Sequence, residues 1–453
     1  MFANSKLIKF FGLAALCCIS TVVFATPNIQ HWQSASGAQV LFVEDHNIPM
    51  LDVAVSVPAG SSFDTADKSG VAGLTHRMLD LGAEGLSEDE ISRGMADIGA
   101  QFGGSFGQDM AGVSLRTLSS AAQRGKALDI MARVLQQPVF PDTILAREKA
   151  RLISALKEAE TRPESIADKA FQQAVFGAHP YALPVSGEIA SVEKITTQDL
   201  KGFYRAHYTA GNAVVAIMGD VTRAQAEAIA QQLTAKLSAS ASALPKVVMP
   251  EVKMPEVRMK IHATEQRIPH PATQSHILIG VPGMARADPD YFPLYVGNYI
   301  LGGGGFVSRL MNEVREKRGL TYGIGTGLAS YDHSEALVGQ FQASNDKVAE
   351  AIDVIRAEWA KVAADGVTQD ELATAKTFMT GSYPLRFDGN GNIASILVGM
   401  QIMGLPTDYP KTRNARVEAV TIADMKRVAA RLFKPDDLSF IVVGQPVGVT
   451  ATE

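Results

Sequence analysis

In the stretch Gly70–Gly82 (Gly-Val-Ala-Gly-Leu-Thr-His-Arg-Met-Leu-Asp-Leu-Gly), His76 and Asp80 stand four residues apart. On a helix that spacing sets an imidazole and a carboxylate on one face, as two metal ligands or as a plain polar pair. The intervening Arg77 argues against a metal, because a guanidinium is permanently charged and has no lone pair to give. No third ligand follows from the sequence, so a surface or cavity-lining pair is the expected role. The second half offers Arg318 and Tyr322, a guanidinium and a phenol that can both donate hydrogen bonds. By spacing alone, a solvated turn residue and a strand start that only pack is the better reading of them. Gly302–Gly305 is not followed by Gly-Lys-Ser/Thr, so it reads as a turn before a helix and not as a phosphate cradle.

Residues 1–25 are ordered like an export signal: Lys6 and Lys9, the apolar stretch Phe10–Val23, then the cleavage site Val23-Phe24-Ala25. The apolar run is shorter than the roughly 20 residues of a spanning helix, so no stable membrane anchor is expected once the signal is cut. Cys17 and Cys18, the two cysteines of the chain, both fall inside it. The mature chain would then hold no thiol, disulfide or cysteine ligand, which points to a bacterial periplasm. Lys+Arg 42 against Asp+Glu 47 is close to balance and slightly acidic, which argues against nucleic acid as a partner.

The elements that position these side chains read as follows. Alternating strands are expected at Ala38–Glu44 and Leu51–Val57, closed by Pro58-Ala59-Gly60. A helix is expected over Gly70–Gly82, and another starts at Ser87-Glu88-Asp89-Glu90. Gln101–Gly107 and Gly112–Leu118 read as a strand pair. The glycines of the first strand suit either plain structure or an exposed edge that accepts a substrate as an added strand. Amphipathic helices cover Ala121–Leu135 and Asp142–Glu160, and Ala213–Gly219 is an apolar strand. The composition of 238–265 shifts to Ser, Ala, Pro, Lys and Val without a period and reads as a linker. Beyond it, Ser275–Gly280 with Val281-Pro282-Gly283 echoes Leu51–Val57 with Pro58-Ala59-Gly60, and Leu438–Gly444 echoes Ala213–Gly219. The two echoes are almost equally spaced, which argues for a duplicated α+β domain.

His179-Pro180-Tyr181 with Pro184-Val185-Ser186-Gly187, and Tyr208-Thr209-Ala210-Gly211-Asn212 before Met218-Gly219-Asp220, mark the first half. Leu301-Gly302-Gly303-Gly304 and the run from Ser308-Arg309-Leu310 to Arg315-Glu316-Lys317-Arg318-Gly319-Leu320-Thr321-Tyr322 mark the second. Together, in this order, they resemble the pitrilysin/insulinase-type peptidases, whose zinc helix carries the inverted motif His-x-x-Glu-His. In that motif two histidines bind the metal and the glutamate activates water. At the matching positions this chain has Gly73, His76 and Arg77. The family's third ligand lies in an acidic pair following a context like Arg147-Glu148-Lys149-Ala150-Arg151-Leu152-Ile153, and here the pair is Ser154 and Ala155.

The resemblance therefore implies a chain with no metal ligands, no catalytic residues and no cofactor of its own. With the signal peptide (1–25) and the linker (238–265) read above, it implies a first peptidase-like domain (26–237) with a degenerate zinc motif and a second such domain (266–453). The implied fold is α+β, a duplicated mixed sheet packed with helices, forming half of a clam-shell cavity. In two-chain bacterial members one subunit brings the zinc and the other an Arg–Tyr pair. The expected function is thus the non-catalytic, substrate-binding subunit of a periplasmic heterodimeric zinc peptidase acting on short or unfolded peptides. Arg318 and Tyr322 would be its substrate-binding residues. The alternative is a periplasmic peptide-binding or scaffolding protein without a catalytic partner.

Overall fold

The computed structural model describes residues 27–238, 265–332 and 335–449. The export signal read at residues 1–25 and nearly all of the linker read at 238–265 lie outside them. The first half opens with β1 (Gln30–Gln33), β2 (Gln39–Glu44), β3 (Met50–Val57) and α1 (Val71–Arg77). A small hairpin, β4 (Gly82–Ala83) and β5 (Leu86–Ser87), leads to α2 (Glu88–Ala96), β6 (Gln101–Phe106) and β7 (Ala111–Leu118). Then come α3 (Ala121–Gln136), α4 (Asp142–Ala159), α5 (Pro163–Phe176), α6 (Ile189–Val192), α7 (Thr197–His207), β8 (Val214–Gly219) and α8 (Arg223–Thr234). The second half runs β9 (Glu265–Pro269), β10 (Gln274–Pro282), α9 (Tyr291–Asn298), β11 (Ile324–Ser330) and β12 (Glu335–Ser344). It ends with α10 (Val348–Asp365), α11 (Gln369–Gly381), α12 (Asn390–Ile402), α13 (Tyr409–Glu418), α14 (Ile422–Leu432) and β13 (Ser439–Gly444).

Two mixed sheets result, ordered β1-β2-β8-β3-β7-β6 and β9-β13-β10-β12-β11. Apart from β1 the orders match position for position, and in each the pair β2–β8 or β9–β13 is parallel while its neighbours are antiparallel. The fold is α+β with two like halves. The echoed segments occupy equivalent places: β3 with β10, and β8 with β13. The echoed glycines have one physical reason. A Cβ on Gly60 would overlap the Gln108 carbonyl, and one on Gly283 would sit 2.6 Å from the Ala336 nitrogen, so both mark a tight backbone crossing.

Every residue of β8 and of β13 is buried, which requires cover on both sheet faces. Helices of the same half cover one face. The other face is covered by exchange. Ile393, Ala394 and Leu397 of α12, from the second half, pack on Leu41, Val43, Val214, Ala216 and Met218 of the first sheet. Reciprocally, Ala167 and Ala170 of α5 pack on Leu278, Ile441 and Val443 of the second sheet. Each sheet is completed by the other half of the chain, so the halves are packed as one unit.

Two local departures from the sequence reading matter for the site. The helix expected over Gly70–Gly82 stops at Arg77, because the chain then turns until the Gly82 carbonyl accepts from the Val139 N–H at 2.9 Å. The segment around Gly302–Gly305 is not a simple turn before a helix. It contains a π-type turn at Tyr299–Gly303 and a tight turn at Gly305–Val307, and a second π-type stretch follows at Met311–Glu316.

Candidate functional site

The start of α1 has no side-chain cap of its own, and Asp64 supplies one from a distance. Its carboxylate accepts from the Gly70 N–H at 2.6 Å and the Ala72 N–H at 2.9 Å. Burial pushes Asp64 up to about 6, against the downward pull of those two N–H groups. The helix so anchored lines a cavity of about 400 Å³ with Gly73, His76 and Arg77, joined by Asp80, Phe106 and Leu152.

His76 lies stacked on Phe106 with ring centroids 5.5 Å apart. Its Nε2–H donates to the Gly112 carbonyl at 2.9 Å, an assignment that follows because a carbonyl only accepts. Burial lowers its pKa, and the Gly112 carbonyl and Asp80 only partly oppose this. The imidazole is therefore neutral, with Nδ1 its one remaining lone pair. Gly104 of β6 makes the room: a Cβ there would fall 2.8 Å from His76 Nε2 and 2.8 Å from the Gly112 carbonyl oxygen.

Arg77 Nε donates to Glu148 Oε2 at 2.6 Å. Glu148, on α4, is 1% exposed, and its other oxygen accepts from Arg147 Nε and Arg151 Nη1, each at 2.8 Å. Burial alone would raise the Glu148 pKa, but Arg77, Arg147 and Arg151 more than offset it and hold the carboxyl below its ordinary value. Ser154 and Ala155, also on α4, are both exposed. Ala155 shares a helix face with the cavity-lining Leu152, three residues before it, and Ser154 does not. A guanidinium locked on a carboxylate, an imidazole whose Nε2 donates, and a glycine do not form a zinc donor set. Among the described residues no group of three His, Cys, Asp or Glu is placed to hold a metal.

Alongside this cavity runs β6, an edge strand that pairs with β7 on one side. Gly103 and Gly104 of β6 line the cavity, and most of the strand is exposed. Its outer row of N–H and C=O groups has no strand partner among the described residues, which is the geometry a bound peptide strand extends.

Tyr322 lies elsewhere, on a cavity of about 1070 Å³ over the second sheet that shares no lining residue with the first. Its lining includes Glu164 and Phe171 of α5, His276 of β10, Gln340 of β12, and Gly302 and Gly303. Tyr322 is 90% exposed and sits in the loop before β11. Arg318 stands just before Gly319, another lining residue, and its Nη1 donates to the Glu313 carbonyl at 2.7 Å and carboxylate at 2.8 Å. The structure thus gathers Gly73, His76, Arg77 and Asp80 in one place and puts Arg318 and Tyr322 in another. Sequence reasoning missed two participants. Glu148 was signalled by Arg147 and Arg151 on its own helix. Arg315, which lies 4.7 Å from the Phe306 ring centroid and 4.9 Å from that of Tyr322, left no such sign.

A family model described as "Insulinase (Peptidase family M16)" matches residues 39–188, and one described as "Peptidase M16 inactive domain" matches 194–379. A crystal structure of a peptidase M16 inactive domain from Pseudomonas fluorescens is 34% identical, covers 94% of this chain and 100% of its own, and superposes with a TM-score of 0.85. The chain belongs to the M16, or insulinase, peptidase family. Among M16 relatives, the "non-peptidase homolog YmxG" of Helicobacter pylori is 24% identical over 89% of this chain and 91% of its own. An uncharacterised zinc protease of Streptomyces coelicolor is 25% identical over 82% and 80%. This chain is an inactive-type M16 homologue, in keeping with the second family model and with the Pseudomonas structure.

Proposed function

We propose that this chain is the non-catalytic, substrate-binding subunit of a periplasmic heterodimeric zinc peptidase that acts on short or unfolded peptides. In this reading Gly73, His76, Arg77 and the pair Ser154–Ala155 stand where an active M16 subunit has its ligands and base. A homologous partner subunit brings the His-x-x-Glu-His helix, the zinc and the general base. Arg318 and Tyr322 donate hydrogen bonds to the peptide carbonyl held at that zinc, and this chain supplies half the cavity wall. The observation that carries the reading is the ion pair of Arg77 with the buried Glu148, which sets a fixed positive charge where a metal ion would have to sit. The exposure of Tyr322 supports the second part, since a phenol left 90% open to solvent is available to another molecule.

The test is reconstitution. The mature chain is assayed alone and mixed with the zinc-bearing subunit, with cleavage of a fluorogenic peptide and bound zinc measured in each. Silence alone, activity in the mixture and zinc that follows the partner are expected. Activity with stoichiometric zinc in this chain alone would overturn the reading. The free edge of β6 favours one other reading, peptide capture without a catalytic partner. Tight peptide binding by the isolated chain, with no gain in turnover on mixing, would select it.

A further inference from the structure

We propose that the cavity lined by α1 and β6 is a side-chain pocket that selects a tyrosine from an extended peptide lying along the β6 edge. The inference rests on the substrate-binding reading given above. In that reading this is the space where an active subunit has its metal. Here one ligand position is Gly73, which has no side chain, and another is Arg77, drawn off to Glu148 at 2.6 Å. About 400 Å³ is left open. An apolar cavity of roughly 150 Å³ already holds a benzene ring, so a phenol side chain fits.

The strand beside the cavity is shaped for an aromatic neighbour. Phe102, Gly104 and Phe106 alternate along β6 and so share one face of the sheet. All three line the cavity, and it is the face of His76, whose ring stacks on Phe106. Gly104 pairs with Val113 of β7 on one side and has no strand partner among the described residues on the other. A strand added along that free edge lays every second side chain on the His76 face. An aromatic residue placed beside Gly104 would cover the glycine, which has no side chain to pack with.

The polar groups of the lining choose among aromatic residues. The His76 Nε2–H is committed to the Gly112 carbonyl, so Nδ1 can only accept. Nδ1 has no partner among the described residues and is not sealed away from solvent. Arg77 and Asp80 are the two charged side chains of the lining, one of each sign. The first opposes a lysine or arginine and the second an aspartate or glutamate. What suits the cavity is a neutral side chain with an apolar body and a proton to give. A phenol oxygen gives its proton to an acceptor such as Nδ1 and can accept from a guanidinium as well, whereas an indole N–H only donates.

The experiment uses the isolated mature chain and capped seven-residue peptides of serine and threonine whose central residue is tyrosine, phenylalanine, lysine or alanine. Binding is measured by fluorescence anisotropy. The tyrosine peptide is expected to bind about tenfold more tightly than the phenylalanine peptide, as one added hydrogen bond allows. The lysine and alanine peptides are expected to bind about tenfold more weakly again, for want of a buried ring. At fixed pH, the tyrosine peptide should move the His76 Nδ1 resonance in the direction of an accepted hydrogen bond. Leu152→Trp, which brings an indole to the cavity from α4, is expected to level the series. His76→Phe should level tyrosine with phenylalanine. Because that change also leaves the Gly112 carbonyl without its donor, the peptide series on the unmutated chain decides. Equal binding of the four peptides, no binding of any, or a preference for lysine or phenylalanine overturns the inference. So does a tyrosine preference that survives Leu152→Trp. A mixture with the zinc-bearing subunit that cleaves nothing, alongside an intact tyrosine preference in the isolated chain, overturns the proposed subunit role and leaves the pocket standing.

Discussion

The cavity beside α1 and the cavity beside Tyr322 handle their polar groups in opposite ways. Around α1 the polar groups are bonded within their own chain. Arg77 is spent on Glu148, His76 on the Gly112 carbonyl, and Asp64 on the start of the helix. Around Tyr322 the groups are turned outward, with two aromatic rings mostly in solvent beside a large opening. A satisfied buried network contributes to one well-defined fold, whereas exposed aromatic rings contribute little to it. The lesson is that a degenerate catalytic site is recognised less by what is missing than by what its remaining groups now bond to. Function is better sought where groups are held in place by their own chain yet left facing solvent.

The largest expected effect tests the outward side. In the reconstituted complex, Tyr322→Phe is expected to lower turnover about 100-fold, the usual loss for one donor to a developing oxyanion. The thermal midpoint of the subunit should not move, because an exposed substitution costs at most about 0.5 kcal/mol. Arg318→Ala should act in the same direction. Wild-type turnover in both would erase the contrast between the two regions. The next effect tests the inward side through pH. Asp64 is raised to about 6 in the fold from 3.8, so the folded state binds its proton more tightly than the unfolded state does. Its contribution to stability is therefore full below about 3.8 and is lost as pH rises through about 6. Relative to Asp64→Asn, wild type should lose about 2 kcal/mol of unfolding free energy between pH 4 and pH 7. Parallel stability curves in urea across that range would show that the α1 cap is not built on a strained carboxylate.

The sequence carried β2, β3, β6, β7, β8, β10 and β13, the duplication and the cap at Ser87, because each is written in local pattern, whereas β1, β9, β11, β12 and the β4–β5 hairpin were not read from it. The echo of Pro58-Ala59-Gly60 in Val281-Pro282-Gly283 proved to mark the same backbone crossing in both sheets. What sequence did not reveal is long-range. Asn390–Ile402 is apolar on most of its faces, which says that α12 is buried but not that it is buried on the other half's sheet. The same holds for α5. Arg77 and Glu148 are 71 positions apart, and no periodicity links them. His76 and Asp80 were paired by helical spacing, yet α1 ends between them and they meet only as two walls of one cavity. The π-type turns that carry Arg315 toward Tyr322 leave no composition signal at all.

Two smaller substitutions sharpen the account of the inward region. Glu148→Ala leaves three guanidinium groups without their shared carboxylate. Because those groups are 55%, 37% and 59% exposed, water recovers much of the loss. A cost of about 1–2 kcal/mol in urea denaturation is expected, below the 3–5 kcal/mol of a fully buried broken pair. The smallest effect is the most specific. Gly104→Ala would drive a methyl group into the contact between His76 Nε2 and the Gly112 carbonyl, at a cost of about 1 kcal/mol. The backbone carbonyl belongs to the β7 ladder and resists displacement, so the imidazole is the group that moves. Swung toward solvent, it loses the burial that lowers its pKa, and its titration should shift back up toward 6.5 in a nitrogen NMR titration. An unchanged His76 titration in Gly104→Ala would mean that the ring is held by Phe106 alone, and that the glycine of β6 is there for an incoming strand and not for the histidine.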